Sequence, residues 1–381
     1  MNFFILLKAN FLKLISRRKI KLLSLSNSPK LLILMHQNIG DMIVCSPILR
    51  EIKIAYPNSN LQVLASNNNK DIAQANPYID KVHVYQNRWQ KLLPLLFKLR
   101  AYKFDCAIEL EVKIITRVIL MLKVINPYCI VGVSKKQGRY GIGPHDVRPY
   151  DYYTDSRLEH QRDTCLDILR LLNINLVSKK YDLFYVEENR KKSLSFLSNF
   201  DSNKIIIGFN IAGSSVKRRI SDKDVSKILL GFRSISKNIE IILIHKPTDN
   251  KLISKLITEE KSLFVSQSYP TESVLDVAAL VDNVDLLITP DTSLVHMACA
   301  FDKPLLAIYS NDISSFRTWH PKSRNNHVVF SENFDSLKSI DVSIILDKSI
   351  ELIRLHVKKI LISMIKSNRI NQFQLLCLQL F

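Results

Sequence analysis

A chain of 381 residues is long enough for two domains that each bury a core of their own. Its composition, 47% hydrophobic and 23% charged, is that of a globular protein and excludes a disordered one. With only 8 glycines, Gly-rich loops cannot be the main ligand-binding device. The six cysteines are scattered without a Cys-x-x-Cys spacing, which predicts neither a zinc site nor a disulfide framework and favours a reducing cytosol.

The formal net charge of +19 is concentrated at the two ends of the chain. Residues 1–30 contain seven basic residues and no acidic one, and residues 351–381 contain five basic residues and one acidic one. A nucleic-acid-binding domain more often places basic side chains on a folded face among aromatic ones. The charge pattern therefore does not favour nucleic acid as a partner.

Residues 1–30 are predicted to form a basic amphipathic helix. Apolar side chains at helical spacing alternate there with basic ones: Phe4, Leu7, Phe11, Leu14 and Ile15 with Lys8, Lys13, Arg17 and Arg18. Such a helix binds an anionic membrane surface, and the alternative is a basic leader that packs on the protein itself. Lys8 interrupts the apolar run, so a signal peptide is not predicted. No run reaches the ~18 apolar residues of a spanning helix.

Residues 31–185 are predicted to form an N-terminal Rossmann-like domain. Apolar runs predict strands at 31–35, 61–65, 82–85 and 105–110, and helical spacing predicts helices at 42–55 and 159–172. Strands that alternate with helices in this way predict a parallel sheet. Residues 134–155 are predicted to be a long loop and residues 179–202 a linker.

Residues 186–350 repeat the pattern and are predicted to form a second Rossmann-like domain. Strands are predicted at 205–209, 240–244, 263–265 and 284–288, and helices up to residue 232 and at 250–259 and 273–281. Residues 351–381 are predicted to be a basic helical tail, of which residues 352–365 pack on the protein. The expected fold class is α/β, with two doubly wound domains facing across a cleft.

The most informative stretch is Thr289–Ala298, where a polar turn joins a buried strand to a helix. Ligands of open α/β sheets bind at the carboxyl ends of the strands. A helix that begins there offers free N–H groups and a partial positive charge to a phosphate. The stretch therefore predicts a site for a phosphorylated ligand.

Several motifs follow one another in a fixed order. They are Leu31–Leu34 leading to Ile39-Gly40-Asp41, Ser46–Arg50, Tyr56-Pro57-Asn58, Gly208–Ser214 with Lys217-Arg218-Arg219, and Pro290–Ala298. Together they resemble glycosyltransferase family 9, the heptosyltransferases of lipopolysaccharide core synthesis, over residues 31–325. The resemblance implies a GT-B fold, an ADP-heptose donor, an inner-core acceptor, inversion at the anomeric carbon, and neither metal nor cofactor.

The resemblance assigns the role of general base to Asp41, which follows Gly40 at a strand-to-helix turn. Helix capping is the alternative explanation for this residue. Glycosyl transfer also needs cationic groups for the leaving diphosphate. Lys217 and Arg218 are the candidates, with Lys217 slightly preferred, and a solvated basic surface is their alternative. Asp249 stands where the family contacts the nucleoside, although capping explains it equally well.

The donor phosphates are expected to bind the turn after the strand at 284–288. Thr292, Ser293 and the backbone of Leu294 would hold phosphate oxygens next to Asp291, and His296 would support the loop or the diphosphate. Two positions depart from the family: Ser293 stands where glycine is usual, and Arg219-Ile220-Ser221 stands where Arg-Trp-Pro is common.

The acceptor side is expected to use Gly40 and basic residues of the first domain. An acidic, lipid-borne acceptor could be contacted by Lys113, Arg117, Lys135, Lys136, Arg139 and Arg148, and a generic solvated surface is the alternative. Of Glu109 and Glu111, at a predicted strand end, one carboxylate is expected to face the site and the other to face away. Asp222 and Asp224 resemble a metal motif, but acids favour the start of a helix.

The sequence thus predicts a metal-independent inverting transferase, with Asp41 as its base, that acts as a monomer on the cytoplasmic face of a bacterial inner membrane. A GT-B enzyme with another nucleotide sugar is one alternative. A non-catalytic membrane- or nucleic-acid-binding protein on the same scaffold is the other. The acceptor sugar, the linkage and the donor epimer are left open.

Overall fold

The computed structural model describes residues 10–14, 16–136, 149–155, 158–211, 213, 215–236, 238–245, 249, 253–254, 256–257 and 264–366. The chain divides into two compact units, Met1–Asp182 and Leu183–Phe381. The boundary predicted from the sequence, after residue 185, lies three residues later.

The first unit contains a six-stranded parallel sheet. Its strands are β1 Lys30–Met35, β2 Asn60–Ser66, β3 Lys81–Tyr85, β4 Cys106–Glu109, β5 Cys129–Gly132 and β6 Tyr152–Tyr153, in the order β3-β2-β1-β4-β5-β6. Its helices are α1 Ile39–Cys45, α2 Pro47–Ala55, α3 Lys70–Ala75, α4 Trp89–Ala101, α5 Thr116–Ile125, α6 Gln161–Leu166 and α7 Ile168–Leu171. Strand β1 is buried from its second residue onward, as expected for a strand covered on both faces.

Two helices predicted in the first unit are each divided in two. The helix predicted at 42–55 breaks between α1 and α2 because Pro47 begins the second helix, and proline favours the first position of a helix over its interior. The helix predicted at 159–172 is divided into α6 and α7, with Asp167 between them.

The sequence predicts no disulfide framework, and the structure joins one pair of cysteines, Cys45 and Cys165, in a disulfide. Their Cα atoms lie 5.9 Å apart, within the range of a disulfide, although 120 residues separate them in the chain. Contact between α1 and α6 brings the two residues together, and no local spacing in the sequence encodes that contact. Among the described residues, Cys106, Cys129 and Cys299 are free and buried.

The second unit repeats this topology. Its strands are β7 Ile205–Asn210, β8 Ile239–Ile244, β9 Val265–Gln267, β10 Leu286–Pro290, β11 Leu305–Tyr309 and β12 Asn326–Phe330, in the order β12-β11-β10-β7-β8-β9. Its helices are α8 Glu187–Leu197, α9 Asp222–Ile235, α10 Val274–Asn283, α11 Ser293–Ala300, α12 Ile313–Trp319 and α13 Val342–Lys366. The helix predicted at 250–259 lies largely outside the described residues.

The segment predicted as a linker, residues 179–202, contains helix α8. This helix packs on α10: Ser193 donates a hydrogen bond to the Ala279 carbonyl over 3.2 Å, and Asn189 donates one to Asp276 over 3.0 Å. The linker prediction is therefore wrong for residues 187–197. The apolar residues of α8 are too few to signal a helix, and its polar side chains find their partners only in the folded unit.

The predicted boundary at residue 350 falls inside α13. Leu352, Ile353 and Val357 are buried in the hydrophobic core of the second unit, which confirms that residues 352–365 begin as a packing helix. Helix α13 thus covers the second sheet and is not a separate tail from residue 351 onward.

The described part of the N-terminal segment packs on the first unit. Leu12 and Ser16 are buried, and Arg18 donates hydrogen bonds to the carbonyls of Pro127 and Tyr128 over 3.2 and 2.6 Å. The Arg18 guanidinium also forms an ion pair with Asp151 at 3.3 Å. At Leu12, Ser16 and Arg18 the segment therefore packs on the protein itself, as the alternative predicts, whereas most residues of 17–28 are exposed.

Only part of the apolar face predicted for the N-terminal helix lies within the described residues. Phe11 and Leu14 are exposed, Phe4 and Leu7 lie outside the described residues, and so does Ile15. Within the described ranges, no helix is both long enough and apolar enough to span a bilayer.

Helix α13 offers a direct test of the core of the second unit. Leu352 is 1% exposed and Leu355, one turn away, is 45% exposed. We expect Leu352→Ala to lower the free energy of unfolding by about 2–5 kcal/mol because it leaves a cavity. Leu355→Ala should change it by less than about 0.5 kcal/mol. Urea titrations of both variants measure the difference, and equal effects would show that α13 is not part of the core.

Candidate functional site

Both sheets change the direction of their connections at one point, between β1 and β4 in the first unit and between β7 and β10 in the second. Ligands of doubly wound sheets bind at such points, outside the carboxyl ends of the strands. Gly40 and Asp41 follow β1, and Asp291–His296 follow β10. The sequence-predicted residues of each unit therefore lie at its switch point.

In the second unit, a network of hydroxyl and amide groups fixes the turn after β10. Thr292 is the N-cap of α11, and its Oγ1 accepts a hydrogen bond from the Leu294 N–H over 3.2 Å. The Asn210 amide donates to Thr289 Oγ1 over 2.9 Å and to Thr292 Oγ1 over 3.4 Å. A phosphate at the Leu294 N–H would therefore replace an existing hydrogen bond. Asn210 was not among the predicted site residues.

The two candidate cations of the second unit have different partners. The Arg218 guanidinium lies 3.1 Å from the Asp291 carboxylate and also donates to the Asp291 carbonyl over 3.4 Å. The Lys217 ammonium pairs with the carboxylate of Asp335. The preference for Lys217 is therefore not supported by the geometry, because Arg218 is the cation held at the predicted phosphate turn.

Close packing at Gly213 holds Arg218 near the turn. The Gly213 N–H donates to the Arg218 carbonyl over 2.8 Å. A Cβ atom at Gly213 would lie 2.7 Å from Arg218 Cβ and 3.3 Å from Thr292 Cγ2, both closer than ordinary contact. Only glycine lets the two segments approach this closely.

A cavity of about 230 Å³ lies beside Arg218 in the second unit. It is lined by Ser215, Lys217, Arg218, Asp291, Tyr309, Ser310, Asp312, Ser315 and Asp335. Burial raises the pKa of Asp291, whereas the charge of Arg218 opposes that shift. The cavity thus contains two cations, which can bind phosphate. It also contains carboxylates and hydroxyls, which can bind sugar hydroxyls.

Three further predicted residues of the second unit lie apart from this cavity lining. Asp249 pairs with Arg219, with 3.7 Å between the charged atoms, and Ser293 is half-buried at the start of α11. His296 is 4% exposed, and burial lowers its pKa to about 4, so the imidazole is neutral at neutral pH. Its ring centroid lies 6.0 Å from that of Trp319. His296 is therefore placed to support the loop, and its burial disfavours a positive charge on the imidazole.

The possible metal motif is part of a helix start. Ser221 is the N-cap of α9, its hydroxyl donates to the Asp224 carboxylate over 2.6 Å, and Arg219 lies 3.7 Å from Asp222. In the described part of the chain there is no group of three or more His, Cys, Asp or Glu residues that could hold a metal ion.

In the first unit, Asp41 lies in the first turn of α1. Its carboxylate accepts a hydrogen bond from the N–H of Asn38, the N-cap, over 3.1 Å. The capping alternative is therefore present in the structure, although Asp41 occupies the third helical position and not the N-cap. Burial raises the pKa of Asp41, and the hydrogen bonds from Asn38 oppose the shift. A raised pKa brings a carboxylate closer to the strength that proton abstraction requires.

Glu109, the last residue of β4, and Glu111, two residues beyond it, have different surroundings. Glu109 is buried, forms an ion pair with Lys135 and accepts a hydrogen bond from Tyr150 over 3.0 Å. Glu111 is partly exposed and accepts a hydrogen bond from Gln37 over 3.4 Å. Burial raises the pKa of Glu111, and the charges of Glu109 and Asp41 add to the shift. Glu111 therefore shares the electrostatic environment of Asp41.

The predicted acceptor contacts have separate surroundings. Lys113 is exposed, and its N–H donates to Glu111 over 3.2 Å. Arg117 donates to Tyr85 Oη over 2.5 Å and lies 4.9 Å above the ring of Trp89. Lys135 is buried and paired with Glu109, which does not favour it as an acceptor contact. Arg139 and Arg148 lie outside the described residues.

Comparison with known proteins identifies the family. Residues 95–344 match the model of glycosyltransferase family 9 (heptosyltransferase), which is more than half of the chain. The chain belongs to glycosyltransferase family 9. This match confirms the family predicted from the motifs. As a member of this family, the chain is a glycosyltransferase.

Relatives and solved structures agree with this assignment. The chain is 26% identical over 346 residues to "Putative lipopolysaccharide heptosyltransferase 4" of Escherichia coli K12, covering 88% of this chain and 91% of the relative. It resembles the family 9 glycosyl transferase structure from Veillonella parvula with a TM-score of 0.71 and 18% identity, over 86% of this chain and 99% of that one. It also resembles E. coli heptosyltransferase WaaC with ADP, with a TM-score of 0.65 and 16% identity, over 86% and 98%. These likenesses confirm the α/β GT-B fold.

One departure of this family 9 transferase has a structural consequence. Ile220 stands where an aromatic residue is common, and it is fully buried in the core of the second unit. Its N–H donates to the Ile211 carbonyl over 3.0 Å. The side chain at this position is therefore a core residue and is not exposed to a ligand.

The raised pKa of Asp41 predicts a pH-dependent effect on stability. Because its pKa is raised, Asp41 binds its proton more tightly in the folded state than in the unfolded chain. The free energy of unfolding therefore falls as the pH rises through the pKa of the folded state and Asp41 ionises. We expect Asp41→Asn to melt above the wild type near pH 7.5, with a difference that shrinks towards about pH 4.

Differential scanning calorimetry across this pH range measures the two melting temperatures. Asp71→Asn, in the first turn of α3, is the matched control for an amide at another helix start. A lower melting temperature of Asp41→Asn at every pH would show that its cap outweighs the cost of burying the charge.

Proposed function

We propose that this family 9 transferase moves heptose from ADP-heptose to an inner-core acceptor of lipopolysaccharide, with inversion at the anomeric carbon. The observation that carries the proposal is Asp41, a partly buried carboxylate with a raised pKa at the switch point of the first unit. The family match and a relative named for lipopolysaccharide heptosyltransferase activity support the reaction class.

Asp41 acts as the general base. Its carboxylate accepts the proton of the acceptor hydroxyl, and the hydroxyl oxygen attacks the anomeric carbon while the bond to the diphosphate breaks. The attack comes from the face opposite the leaving group, so the product has the inverted configuration. Asp41 must be ionised to accept this proton, and its negative charge adds to the burial that raises the pKa of Glu111.

The second unit binds the donor. Arg218 neutralises the charge that develops on the leaving diphosphate, with Lys217 as a further cation and the hydroxyls of Thr292 and Ser293 as donors. Asp291 positions Arg218, and neutral His296 supports the helix behind the turn. Asp249 is the candidate for a nucleoside contact. Because the charge is met by side chains, we propose that the reaction proceeds without a metal ion.

The acceptor is bound by Gly40, Lys113 and Arg117 of the first unit, and Arg139 is a further candidate. Arg117 is presented by the rings of Tyr85 and Trp89, which leaves a guanidinium suited to a carboxylate or phosphate. We further propose a monomer that works at the cytoplasmic face of the inner membrane, with residues 1–30 at the membrane surface.

A donor screen with purified protein tests the reaction. ADP-heptose should release ADP in the presence of an inner-core acceptor and add one heptose to the acceptor mass, with the rate unchanged by EDTA. Asp41→Asn should lower kcat by about 10²–10⁴ because the base is lost, with Asp71→Asn as the matched control. Activity with a different nucleotide sugar would favour the alternative donor. Full activity of Asp41→Asn would show that Asp41 is not the general base.

The two cations are expected to differ in donor binding. Arg218→Ala should weaken ADP binding by about 10- to 100-fold because a charge-assisted hydrogen bond is lost. Lys217→Ala should weaken it less, since Lys217 already pairs with Asp335 away from the turn. Isothermal titration calorimetry with ADP measures both affinities. A larger loss for Lys217→Ala would assign the diphosphate to Lys217.

A further inference from the structure

Helix α4 of the first unit is apolar on two faces. Leu92, Leu96 and Leu99 are fully buried against the sheet. Trp89, Leu93 and Phe97 follow one another at intervals of four residues and are 42%, 41% and 61% exposed. A helix on a globular protein needs one apolar stripe for packing. The second stripe, here named the α4 face, therefore leaves a contiguous apolar surface in water.

The chain that contains the α4 face is basic. Between Tyr85 and Asp105 it contains five basic residues and no acidic one: Arg88, Lys91, Lys98, Arg100 and Lys103, all exposed. Residues 112–136 contain five more basic residues and no acidic one, although Lys135 is buried against Glu109. An apolar stripe among exposed cations is the pattern of a helix that lies in the interface of an anionic bilayer.

Contacts connect the α4 face to the N-terminal segment. Arg100, at the end of α4, donates to the Val124 carbonyl of α5 over 3.2 Å. Beyond α5, Tyr128 accepts a hydrogen bond from Arg18, and the Lys21 ammonium lies 5.7 Å from its ring centroid. Basic and apolar exposed groups therefore continue from α4 to the N-terminal segment across one side of the first unit.

We propose that the α4 face binds an anionic lipid bilayer surface. Tryptophan and phenylalanine enter the headgroup region, and lysine and arginine extend their charged ends to lipid phosphates. A protein partner fits less well, because lysine is depleted from the cores of protein interfaces and this surface is rich in it. The α4 face thus adds a membrane contact to the one predicted for residues 1–30.

This docking would bring the acceptor contacts to the lipid surface. Arg117 lies over the ring of Trp89, so the α4 face borders the guanidinium proposed to bind the acceptor. Only this connection rests on the proposed function. Vesicle binding itself needs neither donor nor acceptor, so a failure of the lipid proposal is distinguishable from a failure of the transferase proposal.

Co-sedimentation of the full chain with vesicles tests the proposal. Vesicles of phosphatidylcholine are compared with vesicles that contain about 30% phosphatidylglycerol, and we expect at least about tenfold tighter binding to the anionic ones. Leu93→Ser/Phe97→Ser should lose about tenfold in binding, and so should Lys91→Glu/Lys98→Glu. Leu230→Ser/Ile235→Ser, on exposed positions of α9 in the second unit, is the matched control and should bind like the wild type.

Fluorescence provides a second measurement. The chain has two tryptophans, so Trp319→Phe leaves Trp89 as the single emitter. Its emission should shift to shorter wavelength with the anionic vesicles alone, because the indole leaves water.

Three results would overturn the proposal. The wild type could fail to bind anionic vesicles, or Leu93→Ser/Phe97→Ser could bind them as well as the wild type. A concentration-dependent dimer that Leu93→Ser/Phe97→Ser abolishes, without vesicle binding, would assign the α4 face to a second copy of the chain.

Discussion

The structure depends on two parallel sheets that are buried on both faces. Such strands consist mostly of apolar residues, as in β10 and β11, where every residue is buried. The polar side chains of the candidate site are found where the strands end. At the switch point of each sheet, neighbouring connections leave in opposite directions and open a crevice at those ends. The buried sheet thus determines where Asp41, Glu111, Asp291 and Thr292 must lie.

Charged groups at these strand ends are held mainly by partners in the same unit. Removal of one partner from a buried ion pair such as Glu109–Lys135 costs about 3–5 kcal/mol, because a buried charge is left unpaired. Glu109 also accepts a hydrogen bond from the Glu111 N–H over 2.7 Å, which fixes the chain after β4. In the second unit, Asp291 likewise holds Arg218 beside the turn. These contacts set the geometry of the polar groups before any ligand binds.

Much of the fold was predictable because apolar runs and helical spacing are local signals. The strands at 31–35, 61–65, 82–85 and 205–209 coincide with β1, β2, β3 and β7 within a residue or two. Helix α8 was missed because it is polar and depends on α10 for its packing. Pro47 signals the break between α1 and α2 in the sequence. The break was missed because the apolar residues keep their helical spacing on both sides of Pro47.

The sequence by itself determined the fold class, the family and the positions of Asp41 and the Thr289–Ala298 stretch, since each depends on residues that are close in the chain. The tertiary structure decided which partner each charged group has. Lys217 and Arg218 are neighbours in sequence, yet one pairs with Asp335 and the other with Asp291. Cys45 and Cys165, and Glu109 and Lys135, are likewise paired by contacts between distant segments. Such contacts form only when separate elements pack, and no local pattern of residues encodes them.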